Sequence, residues 1–474
     1  MGSTFGGIEI GKRALQVQKK SLDVTGHNIA NANTEGYSRQ EVIQSTTKPH
    51  TIYHGTGAGQ VGTGVKIDEI RRIRNDFVDT QIREETSAKG KWEMRRDALK
   101  EIELIFNEPS DNSLRSTMDE FWNSLQELNN NPESQAVRAT VRQRGLALTD
   151  TFNSLDDQLS DYRLALNDRI RTKVEDINSY AQRIADLNGQ ISRIESMNQN
   201  PNDLKDKRDL LIDKLSKITS VQVKEDENGF ANISIEGQSL VWQDTASKLV
   251  AEKDKSNSNL VEVKWASNNE EVKFTDGAIK GLLEARDTEI PKYISQLDAM
   301  AKKMVTEFNN VHKNGYGLGN STNIDFFDPT GLTAKSMDLS AAIKNDLNKI
   351  AAASKYSDTN GDGKNDYAGD GSNALKLADL GDQKLFNSGT ATFNSYYSSN
   401  IAQLGVDSQR AKRMVNNQEV LTRQLNKQRD SISGVSLDEE MAKMIKYQHS
   451  YSAAAKFVST MDEILGVLVN GIKR

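Results

Sequence analysis

The 474-residue sequence contains no cysteine and only 6 prolines. Without cysteine there can be no disulfide staple, thiolate metal site or thiol nucleophile. Average proline usage is roughly 5%, and a chain so far below it can run long helices without interior breaks. Aromatic residues are also scarce, at 6%. No apolar run approaches the ~20 residues of a membrane span. The opening MGSTFGGIEIGKRALQVQKK has no continuous apolar core of signal-peptide length, so any export is expected to use a route that reads no cleaved signal. Net charge is small as well: 61 Lys+Arg against 67 Asp+Glu leave −6. That balance speaks against a dominant nucleic-acid or anionic-membrane role, which needs a basic surface.

What the sequence has is helical periodicity. Residues 5–32 read as a helix in which Ile8, Leu15, Leu22 and Ile29 recur every seven positions. So narrow a stripe is a seam that needs another helix, not a core. Helical patterns follow over 77–106, 113–128 and 133–197. In the last of these, Ile170, Ile177, Ile184 and Ile191 stand seven apart beside Tyr180, Leu187 and Ile194, a coiled-coil-type seam. One more helix covers 203–218. The period then changes to two over 220–274, through VQVKE, ANISIEG, SLVWQD, LVEVKW and EVKF.

Helix returns over 277–312 and again over 392–433, and the Gly/Asn/Asp-rich stretch 313–375 between them reads as a looser insertion. The final helix starts at Ser436, with Glu439 at capping-box spacing. Leu437, Met441, Met444, Tyr451, Val458 and Leu465 follow one of its faces. The expected fold is mainly α: an elongated antiparallel helical bundle or coiled coil from N- and C-terminal segments, with a small inserted β domain. The expected division is 1–36 with 435–474 as a terminal coiled-coil domain, 37–219 with 276–434 as a helical rod, and 220–275 as the β insert.

Few constellations carry chemistry. Asp358, Asn360, Asp362, Lys364 (through its carbonyl) and Asp366 match the first nine positions of a calcium loop, with Gly363 at its sharp turn. Position 12 is Gly369 rather than glutamate, with Asp370 next to it, so the expected affinity is weak. Gly57, Gly59 and Gly62 satisfy GxGxxG, but no helix pattern follows them, and a flexible turn is the better account. His50 and His54 lie off any helix, and His27, His312 and His449 are isolated. Arg71, Arg72 and Arg74, flanked by Glu69 and Asp76, suit a solvated face or subunit salt bridges. No nucleophile motif or phosphate loop occurs, and no catalytic or cofactor-binding residue is assigned.

The segment SLDVTGHNIANANTEGYSRQ, residues 21–40, resembles the signature of bacterial flagellar rod, hook and hook-associated proteins at Ser21, Asn28, Ala30, Asn31, Asn33, Thr34, Gly36 and Tyr37. Its continuation YSRQ is most similar to the hook-associated members at the hook–filament junction. Residues 433–470 look like the same family's C-terminal segment, and 279–320 share its flavour. The resemblance implies a non-enzymatic subunit in which Ile8, Leu15, Leu22 and Ile29 face Met444, Tyr451, Val458 and Leu465 inside a ring of copies. It further implies as partners the hook subunit, the next junction protein or flagellin, and the flagellar type III export machinery with an export chaperone. Nucleic acid, membrane and resident cofactor are not expected. The competing reading is an exported coiled-coil adhesin or calcium-dependent binding module with its function in 220–375; another flagellar axial part, such as a hook or rod subunit, is a third.

Overall fold

The computed structural model describes residues 5–471 except 55, 56, 111, 112, 256, 258, 320, 360 and 362–364. Helix α1 spans Gly6–Ala30, followed by β1 (Gln40–Thr46), β2 (His50–His54), β3 (Gly57–Val61) and β4 (Val65–Arg72). β1 pairs antiparallel with β4, and β2 with β3. Gly57–Val61 is thus a strand of a hairpin, not a flexible turn, and the GxGxxG spacing precedes no helix.

The helical body begins with α2 (Asp76–Phe106), α3 (Leu114–Asn130), α4 (Gln135–Glu195) and α5 (Asn202–Ile218). Asn75, Ser113 and Ser134 cap the first three by accepting amide protons of the first turn. Helix α4 runs 61 residues without a break, about 90 Å at 1.5 Å per residue. Ile170, Ile177, Ile184 and Ile191 are all fully buried. Their surroundings correct the coiled-coil reading of this seam, because strands of the insert as well as helix α5 pack on this part of α4. Asn167 accepts from the Val261 amide at 2.7 Å, Asn178 from that of Leu249 at 2.8 Å and Asn188 from that of Ala231 at 3.1 Å.

Those strands form the insert: β5 (Gln222–Glu225), β6 (Ala231–Ile235), β7 (Gln238–Trp242) and β8 (Thr245–Ala246) in one antiparallel sheet, with β9 (Leu249–Lys253) and β10 (Val261–Trp265) as a separate pair. The EVKF stretch contributes only an isolated bridge between Lys264 and Glu271. Helix α6 (Ala278–Glu284) passes through a π turn (Ala285–Glu289) into α7 (Ile290–Lys313).

Among the described residues of 314–392, the regular elements are α8 (Ala341–Asn345) and α9 (Ser372–Asp379), with a 3-10 turn at Leu347–Lys349. The insertion is nonetheless packed rather than loose. Phe326 and Phe327 are fully buried and cluster with Phe121 and Phe308 at ring separations of 4.8–6.0 Å. Scarce regular structure misleads here because aromatic burial does the holding. Two long helices close the chain, α10 (Phe393–Ser433) and α11 (Leu437–Gly471). Helix α10 returns along α2, while α11 returns along α1. The chain therefore consists of a terminal helix pair continuing into a helical body, with the β insert lying on α4.

Candidate assembly site

Helices α1 and α11 run antiparallel. Gly7 lies against Met461 and Gly11 against Val458, where a Cβ at either glycine would collide with its neighbour. On α1 the fully buried positions are Gly11, Val17, Ser21, Val24, Thr25 and Asn28. Ile8, Leu15, Leu22 and Ile29 are only half-buried. The heptad row thus flanks the most buried stripe rather than coinciding with it. A straight helix drifts against a seven-residue repeat, and α1 is flanked by α11 and by the β1–β4 ribbon together, so its buried stripe runs between the two.

On α11, Met444, Val458 and Leu465 lie on the half-buried stripe toward α1. Met441 and Tyr451 do not; they are 46% and 38% exposed, and Tyr447 and Ala454 stand on the half-buried face instead. Ile445, Ile464, Val467 and Leu468 are also exposed.

The base of this pair is a polar crossroads. Gly36 adopts φ +81°, the left-handed region that favours glycine, with Leu210 close to where a Cβ would stand. That reversal returns Tyr37–Gln40 past the end of α1. The Asn28 side chain then makes four hydrogen bonds. Its Oδ1 accepts from Tyr37 Oη at 2.7 Å and from the Gln40 amide at 3.0 Å; its Nδ2 donates to the Gln40 carbonyl and to Glu440 Oε2, both at 2.9 Å. Burial, followed by Asp203, Asp206 and Glu440, raises the Tyr37 pKa, which keeps the hydroxyl a donor.

The next residues bind the other elements. Ser38 donates its amide to Asp206 Oδ2 at 2.9 Å. Arg39 donates its amide to the Ser433 carbonyl and its guanidinium to Glu439. Gln40 reaches Asp203 Oδ1 at 2.8 Å. Glu439 is therefore committed to Arg39, and the capping box at Ser436 is only half made, with Ser436 Oγ accepting the Glu439 amide at 3.4 Å.

Other signature positions are quieter. Ser21 donates to the Val17 carbonyl and accepts from Gln44; Asn31 donates to the His27 carbonyl and accepts from Thr34. Ala30 and Asn33 are exposed.

Beneath the crossroads lies an ionic ring. Arg72 meets Asp206 and Asp209 at 2.8 Å each, Arg74 meets Asp79 at 2.8 Å and Asp209 at 3.2 Å, Arg83 meets Asp213 at 2.8 Å, and Arg429 meets Asp213 at 2.8 Å. The ring ties β4, α2, α5 and α10. Two of the three clustered arginines thus form internal pairs rather than a solvated face or intersubunit bridges; Arg71 alone is exposed. Burial opposes ionisation of Asp209, but Arg74, Arg72, Arg208 and Arg83 overcome it and hold its pKa at about 2. One turn earlier, burial of Asp206 outweighs Arg72 and Ser38, and its pKa is raised.

Sequence reasoning missed this ring and Glu440. In a chain with 27% charged residues, a buried carboxylate looks like any solvated one. The i, i+3, i+7 spacing of Asp206, Asp209 and Asp213 was the available signal.

The remaining positions lie away from the crossroads. Asn360, Asp362 and Lys364 fall outside the described residues. Asp366 Oδ2 accepts from the Thr359 amide and hydroxyl, Asp358 from the Gly361 amide, and Asp370 from Ser354 and Ser372. Among the described residues no cluster of three or more His, Cys, Asp or Glu could hold a metal ion. His50 lies on β2, and His312 is fully buried between the Ile324 carbonyl and the Ala351 amide. No described helix is long and apolar enough to cross a membrane.

A long helical body whose first and last described helices pair antiparallel defines the class, a mainly α protein with a small β insert. The comparisons give the family. The family described as flagellar hook-associated protein FlgK helical domain matches residues 99–327; flagella basal body rod protein matches 8–37, and flagellar basal body rod FlgEFG protein C-terminal matches 427–471. Flagellar hook-associated protein 1 of Bacillus subtilis is 34% identical over 508 residues, covering 100% of this chain and 99% of that protein. The Escherichia coli protein of the same name is 27% identical over 96% of this chain and 98% of its own. The solved flagellar hook junction protein FlgK from Burkholderia pseudomallei shares the fold at TM-score 0.64 and 16% identity, over 75% of this chain and 100% of that one. The chain belongs to the flagellar hook-associated protein 1 family, whose members are structural components of the flagellum.

Proposed function

We propose that this chain is a non-enzymatic structural subunit of the junction between flagellar hook and filament. Copies form a ring in which α1 and α11 pack against the same helices of neighbouring copies, with the β insert outward. The division into a terminal domain (1–36 with 435–474), a rod and a β insert belongs to this proposal. So do export without a cleaved signal peptide and contact with the hook subunit on one side and the next junction protein or flagellin on the other. The observation that carries the reading is the incomplete burial of the terminal pair: Met441, Ile445, Ile464, Val467 and Leu468 are exposed on a helix whose partner face is itself only half-covered. Ordering so long a helix is offset only when that surface is buried.

The test places charge on the pair. Leu22→Asp or Val458→Asp, expressed in cells lacking the native protein, should abolish filament attachment while the purified variant keeps the helical signal and melting of its body. Normal filaments on both variants would overturn the proposal. An adhesin or calcium-binding module predicts the opposite dependence, with the termini dispensable and 220–375 essential.

A further inference from the structure

Helix α11 is held by few large contacts. Glu440 is its only fully buried side chain among the described residues, at 1% exposure, while Met444, Tyr447, Val458, Met461 and Leu465 are half-buried. Its middle reads Ser452-Ala453-Ala454-Ala455, and α1 meets α11 through Gly7 and Gly11. Side chains three and four apart share a helix face, so small and half-exposed residues present almost the same surface after a slip of one turn. Apolar contact alone therefore specifies the axial position of α11 weakly.

A single buried polar group specifies it strongly, the best-attested use of such groups between paired helices. The backbone of Gln40 fixes the Asn28 amide, because its N–H requires Oδ1 and its carbonyl requires Nδ2. The remaining Nδ2 proton points at Glu440 Oε2 at 2.9 Å, and Lys443 donates to the other carboxylate oxygen at 2.7 Å. Sliding α11 by one turn, about 5.4 Å, would remove the carboxylate from Nδ2 and leave both groups buried without each other. We infer that the Asn28–Glu440 pair is the register pin of the terminal helices. Glu440 is a positioning residue, acting through Asn28 and the Tyr37–Gln40 turn to set which apolar side chains of α11 face outward. The pin is measured in the free chain, so its failure and the failure of the junction reading are distinguishable.

The cysteine-free sequence makes register readable by disulfide trapping in the full chain. Gly11→Cys is paired with Val458→Cys for the native register, and with Ala454→Cys or Met461→Cys for slips in either direction, the latter two in a Val458→Ala background so that the new Cβ meets no Val458 side chain. With Asn28 and Glu440 intact, the Val458 pair should dominate. E440A and N28A should raise the slipped pairs at least fivefold relative to the native pair. E440Q, which keeps an acceptor for Nδ2, should restore the native pattern, an outcome that mere loss of packing does not explain. The body's melting temperature confirms that each variant is folded. A native cross-linking pattern in both E440A and N28A, or slippage in E440Q equal to that in E440A, would overturn the inference.

Discussion

Asn28 of the N-terminal helix donates its side-chain amide to Glu440 of the C-terminal helix at 2.9 Å, across 412 positions of sequence. The two ends of the chain thus meet at a buried polar contact, and the same asparagine closes the turn at Tyr37–Gln40. Loss of that turn would free both helices from the body together.

Gly36 permits the reversal after α1. Gly36→Ala must place a Cβ at φ +81° and press on Leu210, which should cost about 1–2 kcal/mol. Gly36→Asn should cost less, since asparagine tolerates the left-handed region. Urea midpoints of the two variants check the order.

Arg208 joins α5 to α4 and the β insert. It is fully buried, with Nη1 donating to Asn188 Oδ1 at 3.1 Å and to the Gly229 carbonyl at 2.6 Å, and Nη2 to Glu225 at 2.9 Å. Arg208→Met deletes these donors and should destabilise by about 3 kcal/mol. Amide exchange should accelerate across 222–246 first.

Acid should weaken the body in two stages. Burial holds His312 neutral, with its pKa lowered to about 4 despite the Ile324 carbonyl and Asp325. The unfolded chain takes up that proton near the ordinary value of ~6.5. The stabilisation is therefore complete above that pH and lost as pH falls toward 4, about 3 kcal/mol in all. Asp209, held at about 2, adds a second loss of about 2 kcal/mol below the ordinary aspartate value of ~3.9. The raised Asp206 opposes the first stage instead, because the folded chain takes up that proton above the ordinary aspartate value. His312→Gln should flatten the first stage in stability measured from pH 7 to 4.

On the proposed junction role, the exposed apolar residues of α11 contribute to assembly rather than to the isolated fold. Ile464→Lys or Val467→Lys should change the stability of the free chain by less than about 0.5 kcal/mol and still prevent filament attachment. An equal loss of both properties would place these residues in the monomer's own packing instead.

Much of this fold was legible because helices announce themselves by period and caps: Ser113 and Ser134 stand where the helices 114–130 and 135–195 begin. The β insert was visible from its change of period. What stayed hidden depends on which neighbour covers a face. Ile170, Ile177, Ile184 and Ile191 repeat every seven residues whether a helix or a sheet lies on them, and here strands as well as helices pack on α4. Likewise Ile8, Leu15, Leu22 and Ile29 form a row by count, yet two different neighbours pull the buried stripe of α1 to Val17, Val24 and Asn28. The signature turn was marked by Asn28, Gly36 and Tyr37. Its partner Glu440 could not be separated by pattern from Asp438 and Glu439 beside it.

The central claim is that the terminal helix pair is anchored at the Asn28–Glu440 crossroads and completed by assembly. Hydrogen–deuterium exchange on the purified full chain tests it most directly. Protection should be highest near 28 and 440 and fall steadily toward 6 and 471, beside a fully protected α3, α4 and α7. Uniform protection of both helices to their tips, equal to that of the body, would contradict the account, as would fast exchange at the crossroads itself.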